Sequence, residues 1–269
     1  MRLKNILVHL DQGPDNPRRL ALAHALAQQH QARLVGLFGQ RSAAVQVGVV
    51  SSWPPAEYLA AAAASRAAFE SATAGIAQAE WQDGNRGSDA ALLQMITQQA
   101  RYYDLVVLGQ HHQGLEQVPP ELAEEVVLHA GRPVLIMPYV GVFKAPFKHP
   151  LLLWDDSRES ARALNDALPL VQGCERVTVL GLNARHEHAE AACHKVVQQL
   201  ARHGIAADWE PLIVEEIGTM DMVLNRAADL AADLLVLGAR SRPGFALGKR
   251  EEGSEHILRS MTAPTLMAS

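Results

Sequence analysis

The chain has 269 residues, 48% hydrophobic and 20% charged, with a formal net charge of −5 and two cysteines, Cys174 and Cys193, outside any CxxC pair. That length suits two compact domains of about 100–150 residues each, and the acidic balance excludes the basic face that nucleic acid requires. No apolar run approaches the roughly 18–20 residues that span a bilayer, and Met1-Arg2-Leu3-Lys4 leads straight into a short strand. The expectation is a cytoplasmic protein with no disulfide framework, no signal peptide and no membrane segment.

Asn5 to Asp11 reads as a buried strand, stopped by Gln12-Gly13-Pro14. Asp15 or Asn16 caps the next helix, with Pro17 in its first turn and an apolar stripe through Leu20, Leu22, Ala23, Leu26 and Ala27. Arg33 to Phe38 is a second strand. After a loop carrying Trp53-Pro54-Pro55, an alanine-rich stretch from Glu57 to about Ala77 favours helix, and its run Ala60 to Ala64 suggests tight helix packing. Gln78 to Gln82 is a strand candidate. Ser88 caps a helix through Leu92, Leu93, Ile96 and Ala100, followed by a strand to Gly109, a helix near Glu121 to His129 and a strand from Pro133.

Val140 to Pro150 is the expected linker. Beyond it come a strand from Leu151 to Asp155, a helix capped by Ser157, a strand from Arg176 to Gly181 and a helix from Ala189 to His203. A strand from Asp208 to Val214, a helix from Met220 to Ala231, a strand to Gly238 and a closing helix and strand follow. The two halves echo each other. Asp104-Leu105-Val106-Val107-Leu108-Gly109 returns as Asp233-Leu234-Leu235-Val236-Leu237-Gly238, and Pro133-Val134-Leu135-Ile136-Met137 as Pro264-Thr265-Leu266-Met267. The spacing far exceeds the roughly 20–50 residues of solenoid repeats, so the pattern is a duplicated domain, with units at 1–140 and 150–269. Alternating strands and helices, with apolar runs lacking period-2 alternation, predict two doubly wound, Rossmann-like α/β domains, each with a mostly parallel five-stranded sheet. Ligands of such sheets bind beyond the strand C-termini at the switch point, which singles out Asp11, Gly109 to His112, Asp155 and the segment from Gly238.

In this arrangement the chain resembles the universal stress protein family in its tandem two-domain form. The resemblance rests on strand-end Asp11 and Asp155, the two strands ending at Gly109 and Gly238, and the helix-to-proline endings at Pro133 and Pro264. ATP-binding members carry Gly-x2-Gly-x9-Gly-Ser/Thr after the fourth strand, where glycines let the backbone approach phosphates and a helix N-terminus favours the anion. The family's strand-one aspartate contacts the nucleotide from the other side. Both halves here depart from that pattern. Counted without gaps from Gly238, Ser241 stands at the second glycine and Glu251-Glu252 at the Gly-Ser pair, two carboxylates that repel a triphosphate. A gapped alignment instead makes Gly244 and Gly253-Ser254 the phosphate loop, with Lys249 and Arg250 adding positive charge. In the first half, Gly109 leads into His111-His112 and then Val118-Pro119-Pro120, which lacks N–H donors where phosphates need them. The resemblance therefore implies no ATP in the first half and at most a weakened site in the second.

Bland readings compete with several sharp ones. His111-His112 fits a polar loop better than a metal site, since adjacent side chains rarely converge on one ion. His186, His188, Cys193 and His194 start a helix and lack a second ligand group at zinc-like spacing. Glu251 and Glu252 suit a solvated helix start. Of the four tryptophans, Trp154 beside Asp155 is the one expected to border a cleft. No Ser/His/Asp spacing, cysteine nucleophile motif or P-loop occurs, which points away from an enzyme.

The main functional expectation is a cytoplasmic stress-response protein acting through interactions, with a degenerate nucleotide loop and no resident cofactor. The alternative is an ATP/AMP sensor using Asp155, Gly238, Gly244, Gly253 and Ser254, with Asp11 and Gly109 as the corresponding residues of the first domain. A third reading is a binder of an apolar ligand near Trp53 or Trp154. Its protein partners are not legible. The Pro133 and Pro264 strands are expected to pair as an intramolecular pseudo-dimer, with a further homodimer open.

Overall fold

The computed structural model describes residues 2–41, 45–47, 50–52, 54–84, 87–182, 186–212, 218–239 and 254–269; within 45–52, 186–189 and 254–255 it describes the backbone alone. The chain divides into two compact units, Leu3–Arg132 and one formed chiefly by Pro133–Ser269.

The first unit runs β1 (Asn5–Leu10), α1 (Asn16–His30), β2 (Arg33–Phe38), β3 (Val45–Val47), β4 (Val50–Ser52), α2 (Ala56–Ala72), β5 (Ala79–Asp83), α3 (Asp89–Ala100), β6 (Leu105–Gly109) and α4 (Leu122–His129). Its sheet has the order β6-β1-β2-β5, all parallel. Ile6, Leu7 and Val8 of β1 pair with Leu105, Val106 and Val107 of β6, and all six are essentially inaccessible. That explains the unbroken apolar runs, because a parallel strand covered on both faces has no wet side. β3 and β4 form an antiparallel hairpin where a plain loop was expected; Trp53 lies outside the described residues.

The second unit begins with β7 (Val134–Met137) and continues through β8 (Pro150–Trp154), α5 (Arg158–Val171), β9 (Val177–Leu182), α6 (His186–Arg202), β10 (Ala207–Leu212), α7 (Thr219–Asp229), β11 (Leu234–Gly238), α8 (Ser254–Ser260) and β12 (Thr265–Ala268). The order is β10-β9-β8-β11-β12-β7, five parallel strands with β7 antiparallel at the end. The strand closing the first sequence repeat thus packs in the second compact unit, where Leu135 lies opposite Leu266. Pro150 begins β8 rather than ending the linker, a position where a missing N–H is tolerated.

Counted within each sequence repeat, the sheet order reverses between the first strand and the fourth strand of the main sheet, β1 beside β6 and β8 beside β11. These switch points put Asp11 near Gly109, and Asp155 near Gly238, at the C-terminal ends of their strands.

The alanine run is helical, as its propensity predicts, but it does not pack as expected. Within Ala60–Ala64 only Ala62 is buried, and α2 contacts the core through Tyr58, Ala62, Ser65 and Phe69. Low cost in a helix, rather than close packing, accounts for the run.

Candidate functional site

At the switch point of the first unit, Asp11 emerges from β1 with its side chain only 7% exposed. A carboxylate that dry needs partners. Its Oδ1 accepts from the Gly13 N–H at 2.7 Å, which turns the chain toward α1. Its Oδ2 accepts from Arg19 Nη2 at 2.7 Å, an ion pair in which the arginine is as buried as the aspartate. Burial opposes the charged carboxyl, but the Arg19 charge, the neighbouring His9 and the two hydrogen bonds outweigh it and hold the group below its ordinary value.

Arg19 arrives there because of helix geometry. It belongs to the stripe Arg19, Leu20, Leu22, Ala23, Leu26, Ala27 and His30 that α1 turns to the sheet. The guanidinium also donates to Asn16 Oδ1 at 3.1 Å. It lies directly over Gly109: a Cβ on that glycine would collide with Nη1. The glycine is therefore used, but for an arginine of the same chain.

His9, on β1, completes the cluster. Its Nε2 lies 2.7 Å from the Gly39 carbonyl and its Nδ1 3.7 Å from Asp11 Oδ2. Burial, reinforced by Arg19, lowers its pKa to about 4 against the opposing pull of Asp11 and the Gly39 carbonyl. The ring is neutral at pH 7.

The segment 110–120 covers these residues. The Arg41 N–H donates to the Gln117 carbonyl at 2.6 Å, and the Arg41 guanidinium is clamped on Asp89, so the segment is tied to the chain beyond β2. The Leu115 and Leu122 N–H groups are spent on the His112 and Pro119 carbonyls, and Pro119 and Pro120 have none to offer. Below lies a cleft of about 40 Å³, lined by His9, Asp11, Arg19, Gly109, His111 and Gln117 among others. That is room for about three water molecules, far below the roughly 300–1,000 Å³ of small-molecule sites. His111 is held below its ordinary pKa by burial and then by Arg41. Its Nδ1, Arg19 Nε and Gln117 Oε1 are buried without a hydrogen-bond partner.

The second unit is built differently at the equivalent point. Asp155 Oδ1 accepts from the Ser157 N–H at 3.1 Å and from the Ser157 hydroxyl at 2.5 Å. Ser157 and Ser160 form a reciprocal capping box that starts α5. A Cβ on Gly238 would collide with the backbone of Glu159 and Ser160, so this glycine lets α5 approach β11 closely. Asp155 and Gly238 thus meet at the first turn of α5. Eight residues after Asp11 stands Arg19; eight after Asp155 stands Ala163, which cannot fill a charged seat. Gly244 and Gly253, like Ser241, Lys249, Arg250, Glu251 and Glu252, lie outside the described residues, and Ser254 begins α8.

Cys193 packs under Gly181 and is pushed up to about 11 by burial and then by Asp156, so it is an inert thiol. Trp154 sits half-buried at the end of β8, and its indole Nε1 has no partner. Among the described residues no group of three or more His, Cys, Asp or Glu is placed to hold a metal ion, and no helix is long and apolar enough to cross a membrane.

Sequence reasoning missed Arg19 and His9. The signal for Arg19 was present: it falls three or four residues before Leu22 and Ala23, on the apolar stripe, where a lone arginine must find a buried anion.

The universal stress protein family model matches residues 2–138. Among solved structures, a universal stress protein from Archaeoglobus fulgidus DSM 4304 is 16% identical, with a TM-score of 0.69 over 98% of this chain and 96% of that one. A functionally unknown protein from Pseudomonas aeruginosa PAO1 is also 16% identical, with a TM-score of 0.60 over 99% and 92%. At that identity the likeness shows a shared fold across both units. No curated protein matches the sequence.

Proposed function

The chain belongs to the universal stress protein family, and on that premise we propose that it is a cytoplasmic stress-response protein that acts through protein interactions, with its first unit closed to nucleotides. One observation carries this reading: Arg19, ion-paired to Asp11, fills the space over Gly109 that a phosphate would need. The paired charges leave no net positive field for an anion, and Pro119 and Pro120 supply no donors.

A second reading is a nucleotide sensor in the second unit, built on Asp155, Gly238, Gly244, Gly253 and Ser254 and taking ATP or AMP. It is favoured by the absence of an Arg19 counterpart, since Ala163 stands at that spacing. Against it, Gly238 is already occupied by the backbone of α5. The first cleft, at about 40 Å³ and holding the Asp11–Arg19 ion pair, gives an apolar ligand no support there.

Calorimetric titration of the full chain with ATP and AMP separates the readings. The interaction reading expects no heat and no thermal shift at millimolar nucleotide. Binding that disappears in Gly253→Asp would establish the sensor and remove the first reading. Binding that survives Gly253→Asp but is lost in Gly109→Val would show that the first cleft opens after all.

A further inference from the structure

Asp11 is within reach of two groups that can carry positive charge, Arg19 at 2.7 Å and His9 at 3.7 Å, and both approach the same oxygen, Oδ2. His9 is committed at its other end. With Nε2–H donating to the Gly39 carbonyl at 2.7 Å, the neutral ring turns a bare Nδ1 lone pair toward a carboxylate. Two acceptors facing each other at 1% and 7% exposure repel, and the arrangement holds only because a third group supplies the charge. Arg19 is that group. Its own seat is incomplete, however. Both of the guanidinium's hydrogen bonds leave from Nη2, to Asp11 and Asn16, while the buried Nε has no partner; the residue lines the cleft.

We propose that His9 and Arg19 are alternative cations for Asp11, and that withdrawal of Arg19 from the cleft is coupled to uptake of one proton by His9. The proton comes from solvent and binds Nδ1, so that Nδ1–H donates to Oδ2 in place of the Arg19 N–H. The charge facing Asp11 stays at one positive unit in both states. The other charged and titratable groups lining the cleft are Asp15 from the start of α1, itself paired with Arg18, and His111 and His112 from the segment after β6. None of these is paired with Asp11. The carbonyl of Gly39, beyond β2, holds Nε2–H in both states. Any group that draws Arg19 away therefore binds more tightly as pH falls. This makes the closed cleft of the proposed function a pH-dependent closure.

The test is nitrogen-detected imidazole NMR on the full chain, without ligand, so its outcome is independent of whether nucleotide binds. In the wild type the His9 ring stays neutral until about pH 4. In Arg19→Met, which removes the charge and keeps most of the volume, the His9 midpoint is expected to rise past its ordinary 6.5. Arg19→Met/Asp11→Asn, with no anion left to answer, returns it below 6.5. A His9 midpoint at or below 6.5 in folded Arg19→Met overturns the proposal. Stability supplies the second readout. A folded-state value above 6.5 places the gain below that pH and removes it as pH rises, so Arg19→Met should melt higher at pH 5.5 than at pH 8, and Arg19→Met/Asp11→Asn, with no buried anion to hold a proton or an imidazolium, should lose that difference. Arg19→Met that fails to fold at pH 5.5 as well as at pH 8 also overturns it, because His9 would then have failed to replace the arginine.

Discussion

Asp11 and Arg19 are tolerated in the interior because each is the other's counter-charge, and His9 is the member of the cluster left neutral. Its pKa is lowered from 6.5 to about 4, first by burial. Between those values the unfolded chain binds a proton that the folded chain refuses, so this contribution to stability is complete above 6.5 and drains away as pH falls toward 4. A difference of that size corresponds to about 2–3 kcal/mol between pH 7 and pH 4.5. His9→Gln can still donate to Gly39 but does not titrate. Urea unfolding at the two pH values should show the variant losing about 2–3 kcal/mol less than the wild type; equal losses would assign the acid sensitivity elsewhere. Asp11 adds its own acid limb, because its value is also depressed in the fold, but that limb lies lower, in the carboxylate range.

The two helices that follow the first strand of each repeat begin in different ways. α5 opens on Ser157, whose side chain accepts from the Ser160 N–H at 3.0 Å while Ser160 answers to the Ser157 N–H. α1 opens on Asp15, whose carboxylate makes no cap and is paired with Arg18 instead. Ser157→Ala should therefore cost about 1 kcal/mol, in the usual range for a lost N-cap. Asp15→Ala should cost no more than a few tenths, the scale of an exposed (i, i+3) pair. Chemical denaturation of both variants checks the contrast, and equal costs would contradict it. The difference suits the packing below each helix. Gly238 receives the backbone of α5 itself, which demands a fixed helix start, whereas Gly109 receives only the tip of Arg19.

The molecule as a whole keeps one topology twice while assigning one strand across the repeats. β7 ends the first repeat in sequence but packs in the second compact unit, antiparallel to β12. Leu135 is fully buried there. Leu135→Ala should cost about 2–5 kcal/mol through the cavity it leaves. Hydrogen exchange should accelerate in β12 and β11 more than in β1. Protection lost chiefly in β1 would mean that β7 stabilises the first unit instead. The outer strands of the two units carry their own protection against mispairing: Pro211 interrupts the N–H row of β10, and Glu80 and Asp83 charge β5.

The duplication, the alternation of strand and helix, and the positions of Asp11, Asp155, Gly109 and Gly238 at strand ends were all legible in the sequence. They are local properties: apolar runs of strand length, caps such as Ser88 and Ser157, and glycine or proline at the boundaries. The parallel order of the strands followed from the same alternation. What each strand-end glycine serves was not legible. Gly109 and Gly238 stand in the same phrase, Asp-Leu-x-Val-Leu-Gly, yet one accommodates a guanidinium from ninety residues earlier in the chain and the other a helix backbone. Only the packing of α1 and α5 against their sheets decides that, because burial of a side chain depends on which distant atoms it meets. The sequence by itself determined the scaffold and the two candidate sites; the tertiary structure decided that the first is filled from within by Arg19.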